Sequence, residues 1–92
     1  MSTTLKKSLV ITNKLGLHAR AATKLAQLSQ KFDANVTIEL EEKQADAASI
    51  MALMLLAGSQ GKTVTVITEG ADAQDALNNV CQLFNDKFDE EE

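Results

Sequence analysis

Val36-Thr37-Ile38-Glu39-Leu40-Glu41 alternates apolar and polar side chains without a break. Successive side chains of a strand point to opposite faces, so this period of two predicts a strand with one buried and one wet face. Three further segments have strand character. Lys43 to Ala47 can return beside the first, Leu5 to Thr12 is rich in Leu, Val and Ile, and Val64 and Val66 alternate with Thr63 and Thr65. Between them the period changes to that of a helix. Ala22, Leu25, Ser29 and Phe32 recur at spacings of three and four in a helix that should start close to His18. Ser49 to Leu56 reads as a short second helix. From Asp72 onward, Leu77, Val80, Cys81, Phe84 and Phe88 trace one apolar stripe, with Asp72 and Asp75 placed to cap the start. The order β-α-β-β-α-β-α, with strands wet on one side, predicts an α+β fold. It is an open-faced two-layer sandwich: a four-stranded antiparallel sheet covered on one face by three helices.

At 92 residues the chain has room for one small domain, taken as residues 1–92, and not for a cleft between lobes. Its formal net charge of -4 equals the contribution of the tail Asp89-Glu90-Glu91-Glu92, so the remaining body is neutral. With no Trp or Tyr either, it lacks the basic stripe and stacking platforms that nucleic-acid binding needs. The longest apolar run, Ile50 to Ala57, is far short of the ~20 residues of a bilayer span. Lys6 and Lys7 precede only the brief stretch Leu9 to Ile11, too short for a signal-peptide core, and a cytoplasmic protein is expected. One cysteine and one histidine provide neither a disulfide nor three or four nitrogen and sulfur ligands, so no metal and no cofactor is expected. The acidic tail reads as a solvated, frayed end.

His18 stands between the Gly16-Leu17 turn and the first turn of a helix carrying Arg20. A helix start leaves about four backbone N–H groups without internal partners and about half a positive charge, which favours an anion there. A phosphoryl group on this imidazole would meet the amides of Ala19, Arg20 and Ala21, and the Arg20 guanidinium could add charge-assisted bonds. Imidazole suits the task because it is nucleophilic when neutral. The same placement also fits a histidine that merely ends a loop, and spacing alone leaves both readings open. A general acid–base enzyme is the weaker reading, because no Ser, Cys or carboxylate is fixed beside the ring by the sequence.

The second helix carries apolar side chains around nearly its whole circumference. If Ile50, Leu53 and Met54 face the sheet, Met51 and Leu55 are left toward solvent or a partner, and exposed methionine is an adaptable contact. Ser49 is first an N-cap and second a phosphorylation site, which would make the chain a regulatory binding module switched at that serine. Cys81 lies on the buried stripe, where packing outweighs reactivity.

Gly16-Leu17-His18-Ala19-Arg20 resembles the active-site motif of the HPr family, the histidine-containing phosphocarriers of the phosphoenolpyruvate phosphotransferase system. The likeness runs along the whole chain. Ser49-Ile50-Met51 is similar to the family's regulatory-serine region, and Glu69-Gly70 to the end of its last strand. Within the family, Ile11 to Gly16 and the ending Leu83-Phe84-Asn85 with Phe88-Asp89 are most similar to carriers of the nitrogen-related branch. The resemblance implies that His18 takes a phosphoryl group on Nδ1 from enzyme I and passes it to a histidine of an enzyme IIA, with Arg20 steadying the group. It also implies a monomer whose first two helices form a docking face, involving Leu17, Thr23, Ile50, Met51 and Leu55. Ala21 stands where the family usually has proline. Alanine keeps an N–H that proline lacks, so local rigidity falls while anion-binding capacity rises. Gln27 and Gln30 replace lysines frequent in the carbohydrate branch, which weakens steering toward an acidic partner and agrees with the nitrogen branch.

Overall fold

Eight-residue β1 (Thr3–Val10) and β4 (Thr63–Gly70), with β2 (Asn35–Leu40) and β3 (Lys43–Asp46), form one antiparallel sheet in the order β1-β4-β2-β3. The computed structural model describes residues 3–90. Helices α1 (Ala19–Ser29), α2 (Ile50–Leu55) and α3 (Ala73–Asn85) cover one face. The predicted element order and open-faced architecture are those observed.

Alternation explains the sheet. Val36, Ile38 and Leu40 of β2 and Val64 and Val66 of β4 turn inward and are buried, while Thr37, Glu39, Thr63, Thr65 and Glu69 turn outward. Register brings Ile38 opposite Val66 on one side and Ala45 on the other, so one face is apolar across three strands. The outer face is laced by polar cross-strand contacts, Thr4 Oγ1 donating to Glu69 Oε2 at 3.1 Å and Ser8 Oγ lying 3.1 Å from Thr65 Oγ1. Against the inner face, α3 lies on β1 and β4, and α1 packs on α2 and α3. Ala22, Leu25 and Ser29 of α1 and Leu77, Val80, Cys81 and Phe84 of α3 are buried, as their spacing predicts. Phe32 is half-buried at the edge of this core.

Several expectations need correction. β1 ends at Val10 instead of Thr12, because Ile11 leaves the sheet with its N–H on the Lys62 carbonyl and its side chain in the core. β3 ends at Asp46, and α2 spans Ile50–Leu55, with Ser49 as its cap and Leu56 beyond its end. Asp72 makes no side-chain cap on α3. Its Oδ2 accepts the Asp33 N–H at 2.7 Å while its own N–H donates to the Asp33 carbonyl at 3.0 Å, clipping the α1–β2 loop to the start of α3. Asp75 sits in the first turn of α3, where its charge complements the helix dipole. Within α2 the buried residue is Leu53, with Leu56 inward just past the helix end; Ile50 and Met54, expected to face the sheet, are exposed. The acidic tail is not simply solvated. Lys87, Phe88 and Asp89 form a turn with φ of 57°, 55° and 63°, and the fully buried Phe88 ring meets Phe84 edge-to-face at 4.8 Å. Left-handed backbone costs roughly 1–2 kcal/mol per residue, and the ~2 kcal/mol that burying a phenylalanine contributes offsets part of that cost over the three positions. Glu91 and Glu92 lie outside the described residues.

Candidate functional site

The site begins with a tight turn. Asn13 to Gly16 closes through the Gly16 N–H on the Asn13 carbonyl at 3.2 Å, and the buried Asn13 side chain donates Nδ2–H to the Gly16 carbonyl at 2.8 Å. Gly16 has φ 63°, and a Cβ there would run into the Gly58 carbonyl oxygen and come within 2.9 Å of Ser59 Cα. Only glycine lets the chain pass so close to that backbone. The next N–H, of Leu17, donates to Gly58 O at 2.8 Å, and the Leu17 side chain is 4% exposed. Leu17 is therefore an anchor of the core and does not belong to an exposed docking face, because its backbone and side chain are both committed inward.

This anchoring sets His18 at the entrance of α1. His18 is extended (φ −76°, ψ 177°), and its carbonyl accepts the Ala22 N–H at 2.9 Å, the first bond of the helix. The N–H groups of Ala19, Arg20 and Ala21 precede that bond and carry the positive end of the helix dipole. Ala21 is fully buried while Ala19 and Arg20 are exposed, so the helix enters with one side packed and the other open. Lys14, Leu15, His18, Ala19, Arg20, Asp89 and Glu90 line one surface depression. The sequence-predicted His18, Ala19 and Arg20 are thus brought together, with Ala21 beneath them.

A carboxylate completes the site. His18 Nε2 and Glu90 Oε2 are hydrogen-bonded, and Glu90 Oε1 accepts Asn13 Nδ2–H at 3.1 Å. The side chains of His18 and Glu90 are only 26% and 11% exposed. Desolvation pushes the Glu90 carboxyl up, but hydrogen bonds from His18 and Asn13, with the charges of His18 and Arg20, outweigh it and hold the group below the usual carboxylate range. Lys24 ties down the approach to Glu90, its Nζ 2.8 Å from the Phe88 carbonyl and 3.6 Å from Asp89 Oδ2. Asn13, Glu90 and the 66%-exposed Leu15 were not singled out from sequence. An Asn three residues before a Gly is a turn signal that pointed to Asn13; a glutamate in an acidic run carries no comparable mark.

The second group of residues lies on α2. Met51 and Leu55 are each 73% exposed, and with Ile50 and Met54 they line an almost wholly apolar surface. Thr23, on α1, is half-buried and donates Oγ1–H to the Ala19 carbonyl at 2.7 Å. Ser49 is the N-cap of α2, Oγ accepting the Ala52 N–H at 3.2 Å. Cys81 is far from a reactive setting: burial pushes its thiol up, against a smaller opposing effect of the Lys7 charge. Among the described residues no group of three or more His, Cys, Asp or Glu side chains could hold a metal ion, and no helix is long and apolar enough to cross a membrane.

Residues 5–86 match the family model described as the PTS HPr component phosphorylation site, PTS being the phosphotransferase system. The chain belongs to the HPr family of phosphocarriers. It is 52% identical over 88 residues to the phosphocarrier protein NPr of Shewanella violacea, covering 96% of this chain and 97% of that protein. It is 44% identical over 89 residues to the NPr of Escherichia coli K12, covering 96% and 99%. The crystal structure of HPr from Thermoanaerobacter tengcongensis superposes with a TM-score of 0.91 at 38% identity, covering 96% and 99%.

Proposed function

We propose that His18 is the phosphoryl-accepting residue, taking the group from phosphoenolpyruvate-dependent enzyme I and delivering it to a histidine of an enzyme IIA in the nitrogen-related branch. The observation that carries this reading is the position of His18 at the open entrance of α1, in one depression with Arg20. In transfer, the Nδ1 lone pair forms a bond to phosphorus as the donor's P–N bond breaks, its electron pair remaining on the donor nitrogen. The passing charge is met by the N–H groups of Ala19, Arg20 and Ala21 and by the Arg20 guanidinium. Exchange between two histidines is close to isoenergetic, so the protein's task is alignment and electrostatic support.

The apolar surface of Ile50, Met51 and Leu55, on α2 packed against α1 with its Thr23, is where the two larger partners would dock. The NPr names of relatives, together with Gln27 and Gln30 on α1, support the nitrogen branch. We take the chain to work as a cytoplasmic monomer of one domain. Switching at Ser49 is the less supported reading, since capping α2 already accounts for that hydroxyl. Incubation with enzyme I and labelled phosphoenolpyruvate tests the proposal: His18→Ala should take up no label while keeping its circular dichroism spectrum. Label retained by the variant would contradict it.

A further inference from the structure

We infer that Glu90 is a positioning residue for phosphoryl transfer, holding the His18 ring in the tautomer whose lone pair lies on Nδ1 and facing the positive charge that the ring acquires. The inference rests on the phosphocarrier reading above.

Glu90 bridges two groups, with Oε2 on His18 Nε2 and Oε1 on Asn13 Nδ2. Asn13 in turn holds the Gly16 carbonyl, so the carboxylate, the turn and the ring form one connected unit. The carboxylate is also delivered by a built element. Phe88 is fully buried, three consecutive positive φ values reverse the chain, and Lys24 fastens the Phe88 carbonyl and Asp89. A carboxylate is acceptor-only when ionised, so Nε2 must carry the proton that it shares with Glu90. In a neutral ring the lone pair is then on Nδ1, the nitrogen required for attack.

The electron count gives Glu90 a second task. When the Nδ1 pair becomes the N–P bond, no proton leaves Nε2, and the ring becomes a cation. When the P–N bond breaks toward the acceptor, its electron pair stays on Nδ1 and the ring is neutral again. A carboxylate on Nε2 supports that cation without touching the nitrogen on which the phosphoryl group rides. The proton is never lost, so Glu90 is not a general base.

The test measures ring-nitrogen NMR signals of unphosphorylated wild type, Glu90→Gln and Glu90→Ala, and rapid-quench transfer from phosphorylated enzyme I. Wild type should show predominantly the Nε2–H tautomer. Glu90→Gln should keep that preference, its amide oxygen still accepting, and Glu90→Ala should lose it to a mixture. Transfer should slow about tenfold in Glu90→Ala and by less in Glu90→Gln. An unchanged tautomer ratio or an unchanged or faster rate in Glu90→Ala, with wild type phosphorylated normally, overturns the role of Glu90 alone. A wild-type chain that takes no phosphoryl group overturns the relay and this inference together; the tautomer measurement needs no partner and separates the two failures.

Discussion

His18 and Met51 stand on packed neighbouring helices but are presented in opposite ways. His18 is held from several directions: the Asn13–Gly16 turn, the Gly58 backbone, the first turn of α1 and the reversed tail all converge on it. Met51 stands on α2 with 73% of its surface exposed. A reacting atom needs a fixed orientation, and packing together with satisfied hydrogen bonds supplies it. A docking surface needs adaptable apolar area, which unrestrained Met and Leu side chains provide. Changes near His18 should therefore cost fold stability or geometry, whereas changes at Met51 should cost only association.

The largest expected effect is at the tail anchor. Phe88→Ala removes a fully buried ring and its contact with Phe84, and chemical denaturation should show a loss of about 3–5 kcal/mol. A loss under about 1 kcal/mol would mean that the tail is not part of the folded unit. Next comes Gly16→Ala, which places a side chain at φ 63° against the Gly58 carbonyl. A destabilisation of about 2–3 kcal/mol and displaced His18 resonances are expected. By contrast, the double replacement Met51→Ser with Leu55→Ser should change stability by no more than about 0.5 kcal/mol per site while weakening binding to enzyme I in calorimetry at least about tenfold. Unaltered affinity would remove α2 from the docking face.

The smallest effect follows from Glu90 protonation. Its folded-state pKa lies below the unfolded value, so the stabilisation from its contacts is fully present above the unfolded value of about 4.3 and fades as pH falls through the depressed one. The stability difference between wild type and Glu90→Gln should therefore shrink in acid. A difference independent of pH would show that the charge of Glu90 plays no part.

How far these features were legible in the sequence follows from their range. Val36-Thr37-Ile38-Glu39-Leu40 announces a half-wet strand because strand periodicity is local, and Ala22, Leu25 and Ser29 announce a helix face for the same reason. The β2–β3 hairpin needed more: Glu41 and Glu42 turn at φ 49° and 70° without glycine, so only the flanking strands revealed it. His18, Ala19 and Arg20 were legible because a helix entrance is a local feature. Glu90 was not, since 72 positions separate it from His18 and its carboxylate is brought there only by the burial of Phe88. Leu17 was misjudged because sequence does not say which of two adjacent residues at a loop end turns inward. On α2, six consecutive residues could not reveal that Leu53 is the one buried when all are apolar.

The decisive test is intact-mass spectrometry at neutral to basic pH after mixing the chain with enzyme I and phosphoenolpyruvate. A gain of one phosphate, lost on brief acid treatment and mapped to His18, is the expected result. A gain that survives acid, or that maps to Ser49, would contradict a phosphohistidine relay.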